Sequence, residues 1–70
     1  MLKVGDRIVR TIPAKYKVKN AVRTGVIVAL EYGHDNNNKK ADGYRIKFDD
    51  ENENDNPFWY AAKGDFIEKE

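Results

Sequence analysis

Between residues 43 and 49 the chain alternates without a fault: Tyr44, Ile46 and Phe48 fall on one side of an extended backbone, Arg45, Lys47 and Asp49 on the other. Successive side chains of a strand point to opposite faces, so this run buries one face and wets the other only as β-structure. A helix would scatter the same six side chains around its circumference. The rest of the chain is cut by glycine and proline into pieces of similar length, none with an apolar stripe at helical spacing.

Residues 6–12 combine Ile8, Val9 and Ile12 with Arg7 and Arg10 and are stopped by Pro13. Residues 22–32 are the most apolar, with Val26, Val28 and Leu30 on one face and Ile27 and Ala29 on the other. That pattern predicts a central strand covered on both sides. Residues 57–62 start at Pro57, where no ladder donor is lost, and set Phe58 and Tyr60 against Trp59 and Ala61. Residues 65–68, with Phe66 and Ile67, form a short last strand. Residues 61–64 have the length of one helical turn, and Gly64 offers a positive-φ exit from it.

Seventy residues make one domain, residues 1–70, near the lower limit for a core without staples. Five short strands, a long first loop and one short helical turn before the last strand predict an all-β, five-stranded, partly open barrel. Val28, Ile46 and Phe48 are its expected core. An OB-fold would place a true helix between strands three and four, where this chain has only an acidic loop.

Composition narrows the chemistry. Cysteine is absent, which removes disulfides and thiolate metal sites and favours a cytoplasmic address. The longest apolar run, residues 26–30, is strand-sized, so no membrane partner is expected. His34 stands alone in an Asn-rich loop, the chain has no serine, and Thr11 and Thr24 fall in strands, so no catalytic set is assembled. The spacing of Asp50, Asn52 and Asn54 hints at a calcium loop. However, Asp55 occupies the position that needs glycine, and no bidentate glutamate follows. The reading is therefore a non-enzymatic domain without cofactor or metal.

Net charge is only +1, but its distribution is uneven. Residues 1–24 hold seven Lys and Arg against one Asp, while residues 49–56 hold five carboxylates and no base. The basic block carries Arg7, Arg10, Lys15, Lys17, Lys19 and Arg23, with Tyr16 among the lysines. Cations interleaved with a ring are what phosphate contact plus base stacking requires, and nucleic-acid binding is the first functional expectation. A merely solubilising charged face explains the same residues. The second expectation is a protein-interaction module that uses Phe48, Trp59 and the acidic tip with Asp50, Glu51 and Glu53. If Phe58 and Tyr60 fill the core, Trp59 lies outward as an interface anchor, and with the edge of the last strand it suits a homodimer.

Five segments resemble the strand signatures of Tudor, agenet and KOW-type SH3-like barrels. They are Val4-Gly5-Asp6-Arg7-Ile8, Thr24-Gly25-Val26-Ile27, the run from Tyr44 to Asp50, Trp59-Tyr60-Ala61 and Asp65-Phe66-Ile67. The resemblance implies a small binding barrel. Tudor readers of methylated side chains surround the cation with rings. Phe48 matches one cage position and Tyr16 is within reach of another, but Glu51 stands where a further aromatic belongs. A weaker resemblance links Gly5-Asp6-Arg7, Gly25 and Trp59-Tyr60 to the plasmid-type, trimethoprim-insensitive dihydrofolate reductase, a tetramer of small barrels. Its Gln-Ile-Tyr run is matched here by Phe58-Trp59-Tyr60, which replaces the ligand-binding amide with a ring.

Overall fold

A computed structural model of the chain describes residues 2–33, 41–51 and 57–70. The described residues form a single antiparallel sheet of β1 (Arg7–Thr11), β2 (Val22–Tyr32), β3 (Ala41–Phe48), β4 (Phe58–Ala61) and β5 (Ile67–Lys69). Their spatial order is β4-β3-β2-β1-β5, so the longest and most apolar strand is central. The two ends of this sheet are joined by residues 62–66 alone. Four inter-strand spacings amount to about 19 Å, nearly the full reach of so short a link, and residues 62–64 form a turn. The sheet must therefore curl, which produces a partly open barrel whose edges are not closed by a ladder.

The curled face holds the core. Ile8, Ile27, Ile46 and Phe48 are at most 1% exposed and Tyr44 is 8% exposed; Leu2, Leu30, Tyr60, Ala62 and Ile67 pack around them. Each fully buried aliphatic or aromatic side chain contributes about 1.5–3 kcal/mol, so these few residues dominate the stability of a domain this small. Register explains the set: Ile8 pairs with Gly25, Gly25 with Phe48, and Ile27 with Ile46, all on one face. A side chain at position 25 would strike the backbone of Lys47 and Phe48, with Phe48 Cα only 2.8 Å from its Cβ.

Three expectations are corrected. Val28 is not a core residue: Ile27 pairs with Ile46 and Ala29 with Arg45, leaving Val28 as the extra residue of a β-bulge, 40% exposed. A bulge shifts the alternation by one, and so Ile27 and Leu30 share the core although their spacing is odd. The helical turn expected over residues 61–64 is a plain turn after the end of β4, though Gly64 does take a positive φ of 92°. The helical turn among the described residues is instead a 3-10 helix in the first loop, Ala14–Tyr16, which follows Pro13. Proline's fixed φ suits a helix entry, and bonds from Tyr16 N to Pro13 O (3.1 Å) and Lys17 N to Ala14 O (3.0 Å) close it.

The third correction concerns Phe58, expected in the core with Tyr60. Trp59 sits on the outer face as expected, paired with Arg45, and is half-buried because Gly43 on β3 leaves the indole room to lie against the backbone. Phe58 is the exposed ring, at 70%, because β4 is an edge strand and the core ends at Tyr60.

Candidate functional site

The β1–β2 pairing sets Arg7 opposite Val26 and Arg10 opposite Arg23, while β2–β3 pairing brings the end of β3 to the same corner. Asp49 N donates to Thr24 O at 2.9 Å, which carries the start of the acidic segment onto the arginine-bearing strands. Arg7 then grips Asp49 with both terminal nitrogens, at 2.8 and 2.5 Å, and reaches Glu70 through Nε at 3.2 Å. Arg23 donates to Asp50 at 2.8 Å and to Glu51 at 3.4 Å, its guanidinium lying 3.9 Å from the centre of the Phe48 ring.

Arg10 donates through Nε to the Asp65 carbonyl at 2.9 Å and lies over Tyr60, 5.0 Å from the ring centre. Asp65 also accepts from Ala61 N at 2.6 Å, fastening the turn after β4 to β1. Every arginine of the sequence-predicted basic set is thus held by the protein's own carboxylates and rings. The donated bonds from Arg7 and Thr24 hold the Asp49 carboxyl well below the usual carboxylate range, and those from Arg23 lower that of Asp50. Asp49 and Asp50 in turn raise the pKa of Arg7 and Arg23, keeping both guanidiniums charged.

The lysines are placed differently. Ile12 N bonds to Ala21 O at 2.8 Å and closes the base of a loop in which residues 14–20 are all exposed. Lys15, Lys17 and Lys19 lie in it, and none forms an ion pair with a carboxylate among the described residues. Lys15 Nζ is 5.2 Å from the centre of the Tyr16 ring, which is 54% exposed. Tyr16 leans on Phe66, with ring centres 6.0 Å apart and planes at 51°. Phe66 is 39% exposed and is held in place by Thr11 N donating to its carbonyl at 3.3 Å.

Backbone strain concentrates here. Among the described residues, the non-glycine positions with positive φ are Lys17 (54°), Asn20 (54°) and Phe66 (60°): two in the lysine loop and one in the ring packed on it. A left-handed conformation costs a residue with a Cβ about 1–3 kcal/mol, least for Asn, and such residues gather at functional sites.

The second predicted set is not brought together as expected. Phe48, assigned to protein docking, is 1% exposed beneath Arg23 and offers no ring to a partner. Trp59 is half-buried, Asp50 and Glu51 are engaged by Arg23, and Glu53 and His34 lie outside the described residues. Phe66 was missed as a site residue, since nothing in its sequence context marks a left-handed phenylalanine. The arginine pairing did leave a signal: an excess of base in residues 1–24 and of acid in residues 49–56 predicts their meeting once the strands pair.

A hollow beside the loop, lined by Asn20, Val22, Arg23, Thr24, Asp49 and Asp50, holds about 190 Å³. Small-molecule pockets begin at about 300 Å³. Among the described residues, no three acidic or imidazole side chains gather as a metal site, and no helix is long and apolar enough to cross a membrane. No known protein family matches the chain, and neither a curated protein nor a solved structure is significantly similar to it.

Proposed function

We propose that this chain is a non-catalytic, SH3-like binding module of the Tudor-related kind that engages nucleic acid through its first loop. The contact set is Lys15, Tyr16, Lys17 and Lys19 with Phe66, rather than the whole basic block. The observation that carries this reading is the coincidence of three exposed lysines without carboxylate partners among the described residues, two exposed rings in contact, and left-handed backbone at Lys17 and Asn20 of the loop and at Phe66 packed against it. Lysine ammonium groups replace counterions along the phosphate backbone, and the rings offer π-faces to bases. Arg7, Arg10 and Arg23 serve the fold in this account, holding the acidic segment and the turn after β4.

The same arrangement speaks against methyl-lysine reading. The edge-to-face pair Phe48–Tyr60, with centres 5.4 Å apart, is already covered by the guanidiniums of Arg23 and Arg10. A second reading, protein docking, is favoured by one feature, the 70% exposed Phe58 on the edge strand β4. A residue-resolved NMR titration with short DNA, RNA and peptide pools separates the two. Nucleic-acid binding requires amide shifts over residues 15–19 and 66, and it fails if those stay unmoved while residues 58–60 respond to peptide.

A further inference from the structure

We infer that the nucleic acid is single-stranded, with one base seated on the Tyr16–Phe66 ring pair; this rests on the nucleic-acid reading above. Base faces are available for stacking only where bases are unpaired, and a duplex offers a loop nothing but phosphates, sugars and groove edges. The site is built around rings. Tyr16 and Phe66 are 54% and 39% exposed, and Phe66 packs on Tyr16 outside the buried core cluster although its backbone pays for the position with a φ of 60°.

A duplex also fits the surrounding charge poorly. The hollow bordering the loop is walled by Asp49 and Asp50, whose side chains are 50% and 53% exposed and stay ionised because Arg7 and Arg23 hold them. A second phosphate strand there would meet carboxylates, while the arginines able to widen the basic surface are occupied. One strand crossing the loop meets Lys15, Lys17 and Lys19 beside the rings, all in an exposed segment. Because strain at Lys17 and Phe66 is met on folding, the platform needs little ordering when a strand arrives.

The test measures fluorescence anisotropy with four labelled probes of about eight nucleotides, within the span one small barrel covers. They are oligothymidylate, oligouridylate, a strand of the same backbone with abasic sites, and a blunt-ended duplex of the same length without a loop. The base-bearing strand of at least one sugar type should bind about tenfold tighter than the abasic strand and the duplex, the weight of one stacked base. The ratio of the DNA and RNA arms identifies the sugar. Tyr16→Ala should reduce the base-bearing strand to the abasic level and leave the abasic affinity unchanged, whereas Tyr16→Phe should retain the difference. Tyr16 is exposed and outside the core, so neither variant threatens folding. If the duplex or the abasic strand binds as tightly as the base-bearing strands, the single-strand inference is overturned while nucleic-acid binding stands. Binding of none of the four at low salt sinks both.

Discussion

The three arginines on β1 and β2 and the three lysines in the loop between them carry equal charge, yet the fold puts them to opposite uses. Arg7, Arg10 and Arg23 meet Asp49, Asp65, Asp50 and Glu51 across strand pairings, and two of them also cover aromatic rings. Lys15, Lys17 and Lys19 lie on a protruding loop without such partners among the described residues. Geometry accounts for the division. A strand residue inherits neighbours from the register on both sides, and guanidinium suits paired carboxylates and ring faces. A loop residue inherits none, and a hydrated ammonium on a flexible stem suits exchange between water and phosphate.

The sharpest way to break this comparison is to remove the lysines together. Replacing Lys15, Lys17 and Lys19 by Ala should lower oligonucleotide affinity by about a hundredfold at low salt, read by anisotropy, with the thermal midpoint unchanged. Loss of folding instead of binding would show that the loop is structural. Arg23→Ala should do the reverse. It uncovers Phe48 and leaves Asp50 and Glu51, one of whose oxygens is buried, without their cation. A loss of about 2 kcal/mol in urea denaturation is expected, with oligonucleotide affinity unaltered.

A smaller effect sets the two properties against each other at one position. Lys17→Gly relieves the left-handed backbone and should raise stability by about 1 kcal/mol, while weakening the oligonucleotide several-fold. Stability and affinity falling together would mean that the strain is not stored for binding. The slightest effect is on acid stability. Asp49 is held low by Arg7 and Thr24, so its contribution is present above the ordinary value of 3.8 and is lost as pH falls below it toward the folded-state value. Asp49→Asn should therefore flatten the stability profile below about pH 4 by removing a small increment at neutral pH and converging with the wild type in acid, the increment being small because both partners are half exposed.

Much of this architecture was legible in the residues. The alternation of Tyr44, Ile46 and Phe48 with Arg45 and Lys47 appears in β3 as expected, with Asp49 just past its end, and β2 spans the predicted residues 22–32. What escaped depends on long-range register. Nothing local marks Val28 as a bulge, because the extra residue is defined by pairing with β3. Phe58 lies exposed at the sheet edge instead of in the core, while Trp59 keeps its expected outer face but is half-covered because it lies over Gly43. The lysine loop was found by composition alone, whereas its partner Phe66 needed the backbone reversal that no residue nearby announces.

The central division between committed arginines and available lysines is tested most directly by the salt dependence of single-strand affinity. Three phosphate contacts predict a slope of log K against log salt near about −2 for a single strand. A slope near about −4 would mean that Arg7, Arg10 and Arg23 leave their carboxylates to join the contact, contradicting the account.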